Sequence, residues 1–156
     1  MRRHLTLLVA ALAVAAPAFV ILNSAQAGAT TRFSFTEHLT NVEAVINGHR
    51  TLTPMTLPGP GDTFLFRADL LQNGLVVGYS INDCTETFNL NSICSTVFAF
   101  TGKGDLMGTA LTRGEPSVYD EAITGGTFAY RNAHGDAHAV YHGGADVNWT
   151  VNFVTQ

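Results

Sequence analysis

Three histidines, His134, His138 and His142, recur every four residues near the end of the chain. On a helix that spacing would bring their rings to one face, where they could share a metal ion. The run Gly135-Asp136-Ala137-His138-Ala139-Val140-Tyr141-His142-Gly143-Gly144 instead reads as a short strand bounded by glycines. Strand positions four apart are separated by about 13 Å, which metal–ligand bonds of about 2 Å cannot bridge. No metal is therefore expected. Asp136 and His138 share a strand face and are close enough to couple near neutral pH.

The only cysteines, Cys84 and Cys94, enclose the polar stretch 85–93 between two strand-like runs. Neither a Cys-x-x-Cys thiol pair nor a Cys-rich zinc site has that spacing. An even count in an exported domain reads as a disulfide, here one that staples a hairpin. A loop that short gives roughly 2 to 3 kcal/mol by the chain-entropy model.

A carboxylate in an apolar row is a further signal. On a strand, Glu37 shares a face with Phe33, Phe35 and Leu39, and a carboxylate so placed can move a proton or stabilise a cation. Tyr79 and Asp83 share a face with Leu75, Val77 and Ile81. The nucleophile elbow Gly-x-Ser-x-Gly, the phosphate loop and the dinucleotide fingerprint are all missing from the sequence. Hydrolase, kinase and nicotinamide chemistry fit poorly for that reason. Asn148-Trp149-Thr150 matches a glycosylation sequon but falls inside a strand pattern.

Strands must position these residues. Short runs of alternating polarity, separated by Gly, Asn, Asp and Pro, recur from residue 32 onward, and no window there carries a helical stripe. The expected strands are Arg32–Thr40, Val42–Ile46, Thr63–Leu71, Leu75–Asp83, Ile93–Thr101, Asp105–Thr112, Ser117–Thr124, Thr127–Tyr130, Ala137–His142 and Val147–Val154. Gln72-Asn73-Gly74 and Gly102-Lys103-Gly104 read as hairpin turns. In the last strand Val147, Trp149, Val151 and Phe153 share one face and Asn148, Thr150 and Asn152 the other, so one face is buried. The strand from Thr63 sets Phe64, Phe66, Ala68 and Leu70 against Leu65, Arg67, Asp69 and Leu71. About eight to ten antiparallel strands in one domain must close or stack, because open edges invite aggregation. Barrel and sandwich are both candidates. Residues 47–61, with Pro54, Pro58, Gly59, Pro60 and Gly61, form the one long irregular stretch and could lie over a barrel mouth.

With 156 residues, 46% of them apolar and only 13% charged, the chain is one domain and not a disordered polymer. Its eight Lys and Arg are scattered and its formal charge is -4, so the clustered cations that nucleic acid requires are missing. Residues 1–27 have the parts of a secretory signal: Arg2 and Arg3, an apolar run from Leu5 to Leu22, and Ala25-Gln26-Ala27. The run is about long enough to span a bilayer as an uncleaved anchor, but Pro17 and its many alanines weaken it. No Cys near the cut argues for a lipoprotein, and Arg2-Arg3 lack the rest of the twin-arginine motif. Cleavage after Ala27 is expected to release a secreted domain, residues 28–156, and the loss of Arg2 and Arg3 takes its formal charge from -4 to -6.

Four stretches in order resemble the allene oxide cyclase and dirigent barrel superfamily, in particular its actinobacterial dirigent-like members. Gly61-Asp62-Thr63-Phe64-Leu65-Phe66-Arg67-Ala68-Asp69-Leu70 is similar to the segment in which a Gly leads into aromatic alternation and an acidic residue before Leu. Val76-Val77-Gly78-Tyr79-Ser80 resembles the strand after the turn. Phe98-Ala99-Phe100 with Gly108-Thr109-Ala110-Leu111-Thr112-Arg113-Gly114 resembles the paired strands that follow. The run Ile123 to Gly135 resembles the family's Gly-Gly-Thr-Gly-x-Phe/Tyr-Arg-x-Ala-x-Gly motif. Phe128 replaces the motif's third Gly, and Ala68 stands where plant dirigent proteins carry the first of two acidic residues.

The resemblance covers roughly residues 60–153 and implies an all-β, eight-stranded antiparallel barrel with a lipocalin-like cavity for one small ligand. It also implies cofactor-free steering of a small hydrophobic molecule through cyclisation, isomerisation or stereoselective coupling, with an oxidase as partner in the dirigent case. Asp69 and Arg131, at matched motif positions, join Glu37 as expected catalytic residues, and Arg131 is expected to point into the cavity. Arg67, Tyr79, Asp83, Phe66 and Tyr130 are the expected substrate-binding residues. Homodimers or homotrimers are expected from the same likeness. The competing expectation is a carrier barrel that binds without turnover.

Overall fold

A computed structural model of the protein describes residues 29–51, 58–114 and 117–155; the expected signal segment, residues 1–27, lies outside them. Nine strands follow in order: β1 (Thr31–Ile46), β2 (His49–Thr51), β3 (Thr63–Gln72), β4 (Leu75–Glu86), β5 (Asn91–Phe100), β6 (Gly104–Arg113), β7 (Val118–Gly126), β8 (His134–Tyr141) and β9 (Asp146–Val154). From β3 onward each strand pairs antiparallel with the next, β3 also pairs with β1, and β9 returns to β1. Eight strands thus close into a barrel and β2 is a short extra strand on the second half of β1. Closure leaves the eight with few open edges, the problem that a meander of this length has to solve.

Two expected strands, 32–40 and 42–46, are one strand. A bulge between Leu39 and Asn41 carries β1 across the interruption, and the extra residue resets the alternation. Phe33, Phe35, Glu37 and Leu39 face inward before the bulge, and Ala44 and Ile46 are buried after it. The turn Asn73-Gly74 has positive φ at both residues (51° and 77°), as a two-residue hairpin requires.

The expected strand 127–130 is instead a single turn of 3₁₀-helix, Phe128–Tyr130. Phe128 has a positive φ of 48°, which ends the extended conformation, and Gly126 lies where a Cβ would meet the Tyr130 carbonyl oxygen at 2.3 Å. The chain therefore folds under one end of the barrel. Tyr130 is carried inward against Phe33, Phe100 and Phe153, with ring centroids 6.4, 5.6 and 5.7 Å away. Above this layer Phe35, Phe98 and Trp149 pack together, Phe98 meeting the indole edge to face at 5.0 Å. With Leu70, Leu106, Ile123, Val151 and the small Ala133, Ala137 and Ala139, these side chains fill that half of the barrel.

At the other end, residues 47–61 hold a tight turn at Asn47-Gly48 and the strand β2 rather than an entirely irregular loop; residues 52–57 lie outside the described set. The Asp62 carboxylate accepts hydrogen bonds from the Asn47 and Gly59 amides at 2.8 and 2.7 Å. Those amides hold its pKa below the ordinary carboxylate value. The Asp62 carbonyl in turn accepts from the Glu86 amide at 2.8 Å, which ties the loop to the end of β4.

Candidate functional site

The half of the barrel away from Tyr130 is hollow. Its cavity of about 560 Å³ is lined by strand residues from the inner face and, at the rim, by Pro58, Leu90, Gly114, Gly144 and Ala145. Leu39, Phe64, Phe66, Ala110 and Val147 give it an apolar wall. Three carboxyl side chains, Glu37 on β1, Glu86 on β4 and Glu121 on β7, stand in that wall, and all three are buried.

Glu37 is fixed by three donors. The Ser80 hydroxyl and the Asn82 side-chain amide both donate to Oε1, the latter at 2.9 Å, and the Trp149 indole N–H donates to Oε2 at 2.9 Å. Asn82 is itself oriented, because its Oδ1 accepts from the Thr96 hydroxyl at 2.7 Å and its amide hydrogens must then face Glu37. These partners come from β4, β5 and β9, so the carboxylate is held by barrel closure and not by local sequence.

Glu121 is held differently. One of its oxygens, Oε1, is buried without a hydrogen-bond partner, and burial pushes its pKa up to about 7. The neighbouring Thr96 hydroxyl pulls the other way and the Glu37 charge adds to the rise. Beneath it Gly108 leaves the necessary space, since a Cβ there would meet the Glu121 carboxyl oxygen at 2.3 Å. Tyr119, on the same inner row of β7, also lines the cavity, and its ring meets Trp149 edge to face at 5.5 Å. Burial first, then the charges of Glu37 and Glu121, raises its pKa, so it remains a phenol. Glu86 accepts from the Ser92 hydroxyl at 2.7 Å through Oε2, and its Oε1 is without a partner.

The disulfide joins Cys84 and Cys94, directly opposite each other on β4 and β5 with Cα atoms 4.0 Å apart. Both cysteines line the cavity.

Of the residues expected to act, Glu37 and Phe66 line the cavity and the others do not. Asp69 and Arg67 sit on the outer face of β3, because Ala68 and Leu70 take the inside. The Arg67 guanidinium lies 4.7 Å from the centre of the Tyr79 ring on that outer wall. Asp83 and Tyr79 are exposed, and the inner face of β4 belongs to Gly78, Ser80, Asn82, Cys84 and Glu86. Arg131 is exposed beside the 3₁₀ turn at the closed end, so the expectation that it enters the cavity is corrected. Tyr130 belongs to the aromatic packing at that end and does not touch the cavity. Asp136 and His138 do share an outer face, but each takes another partner: His138 Nδ1 lies 2.7 Å from Asp120, and Asp136 accepts from Asn152.

Glu86, Glu121 and Tyr119 were not singled out by the sequence reading. The alternation Tyr119, Glu121, Ile123 is the same carboxylate-in-an-apolar-row signal that marks Glu37. Glu86 was hidden because β4 runs three residues further than its apolar pattern does.

No family model matches the sequence, and no curated protein matches it. Solved structures do match its fold. Pyocyanin demethylase superposes with a TM-score of 0.67 at 22% identity, over 80% of this chain and 100% of that one. A pterocarpan synthase dirigent protein gives 0.62 at 18% identity, over 84% and 91%. An exo-specific intermolecular Diels-Alderase gives 0.61 at 12% identity, over 81% and 98%.

Proposed function

From a barrel of the allene oxide cyclase and dirigent fold, shared with these three proteins, we propose that this protein binds a small, largely apolar molecule in its cavity. There it steers cyclisation, isomerisation or stereoselective coupling without a cofactor. The observation that carries the reading is the pairing of two unlike carboxyls in one apolar cavity. Glu37 is locked by three donors, while Glu121 has an unpartnered oxygen and a pKa near 7.

The chemistry follows from that difference. A group titrating near neutrality serves as either general acid or general base at little energetic cost. Glu121 therefore takes or returns the proton of the reacting molecule. Glu37, fixed in place, stabilises positive charge that develops across the cavity. Tyr119, a phenol, supplies an O–H donor for an oxygen of the substrate. The apolar wall folds the molecule towards its reactive shape and keeps bulk water from the reacting atoms. The Cys84–Cys94 disulfide supports an oxidising, extracellular setting.

The test is incubation of the purified protein with small-molecule extract of its source culture, followed by chromatography and mass spectrometry. A new isomer or coupled product, lost in Glu121→Gln and Glu37→Gln, is the expected result. A compound retained by the protein but unchanged, with or without an added oxidase, would make the barrel a carrier.

A further inference from the structure

We infer that the molecule this cavity takes carries a positive charge, such as a protonated or quaternary nitrogen, on a largely apolar body. This rests on reading the cavity as a binding site and names the class of its occupant. Three carboxyls line the cavity, and among the described residues that line it there is no Lys, Arg or His. Glu121 is only 2% exposed and Glu86 only 5%, yet each has one oxygen with no hydrogen-bond partner.

Buried carboxyls without partners are costly, and apolar residues of similar size generally replace them at no loss of stability. Three carboxyl residues in one cavity wall, with no cationic side chain among the described residues that line it, therefore point to a counter-charge that comes from outside. A single metal ion does not fit, because no cluster of three His, Cys, Asp or Glu among the described residues is placed to hold one. The carboxyls are spread over β1, β4 and β7, which suits a larger ion whose charge is delocalised or carried on an extended frame. Aromatic faces are at hand as well. Phe64 and Phe66 stack with centroids 6.2 Å apart in the wall, and Tyr119 adds a third ring to the cavity lining; such faces attract cations. A neutral occupant leaves the charge of the carboxylates uncompensated, and an anionic one is repelled by it.

The inference is tested with three tricyclic probes of similar shape at about pH 8, where 10-methylacridinium is a cation, acridine is neutral and acridine-9-carboxylate is an anion. Titration by fluorescence is expected to give methylacridinium an affinity roughly tenfold or more above that of acridine, with the carboxylate weakest. Glu37→Gln and Glu121→Gln should each weaken the cation several-fold and leave acridine within about twofold. Acridine binding as tightly as methylacridinium, or both weakening alike in the variants, overturns the charge inference while leaving a binding cavity in place. Failure of methylacridinium to bind overturns it too, and the product search above still tests the function independently.

Carboxylates such as Asp83 and Asp120 also stand exposed on the outer surface, so the cavity itself must be blocked as a control. Ala110→Phe fills the cavity wall without altering any charge; Thr112→Phe serves if circular dichroism shows that the first variant does not fold. Methylacridinium binding that persists undiminished in the blocked protein lies outside the cavity, and then both the inference and the reading of the cavity fall.

Discussion

Glu121 joins the stability of the protein to its chemistry. Its ordinary pKa is 4.5, and in the barrel it is near 7. Between those values the folded state holds a proton that the unfolded chain has released. Stability attributable to this residue therefore falls as pH rises from about 4.5 to about 7, by about 3 kcal/mol in all. Glu121→Gln should remove that slope and make the protein more stable than wild type at about pH 8, as thermal unfolding across the pH range will show. Gly108→Ala acts on the same carboxyl from below. The new methyl displaces Glu121 into the cavity, so product formation or probe binding should fall at least about tenfold while unfolding changes by only about 1 kcal/mol. The type of these residues was legible before their place was. Glu37 stands out in its row because Phe33, Phe35 and Leu39 are unambiguous, and Tyr119-x-Glu121-x-Ile123 carries the same signal. By contrast, Arg131 rests on a motif match alone, and its side chain is exposed beside the 3₁₀ turn.

Among the elements, β4 best explains where alternation misleads. Its apolar row, with Tyr79 and Ile81, faces outward, and the small or polar Gly78, Ser80, Asn82, Cys84 and Glu86 face inward. Where it borders the hollow this strand turns small and polar side chains inward, so the usual assignment of the apolar face to the interior fails there. At β9 it holds: Trp149, Val151 and Phe153 enter the filled half. Thr127–Tyr130 shows the complementary limit, since nothing in its composition announces the positive φ of Phe128 that turns it under the barrel. The β4–β5 pair also carries a prediction of its own. Replacing both Cys84 and Cys94 with Ser should cost about 2 to 3 kcal/mol in urea unfolding. Reductant should bring the wild-type protein to the same midpoint, and the cavity wall formed by these strands should bind the probes more weakly in both cases.

For the molecule as a whole, the division of the barrel into a filled half and a hollow half separates rigidity from chemistry. Aromatic packing around Trp149 anchors β1, β5 and β7, the strands that carry Glu37, Thr96 and Glu121 into the cavity wall. The indole spans both halves, because its ring belongs to the packed half and its N–H belongs to the site. Closure depends on the pairing of β1 with β9, in which Thr31 lies opposite Phe153 and His38 opposite Asp146. These partners stand at opposite ends of the described chain. A chain ending at residue 145 should consequently remain protease-sensitive and lack a cooperative thermal transition, although it keeps seven of the eight barrel strands. The same seam orders events in time. During synthesis the first strand must wait for the last, and neither a cavity nor its buried carboxyls can exist while the chain is still emerging. What leaves the ribosome is an open ribbon with two unpaired edges, and the interval before they meet is when this protein is most exposed to aggregation.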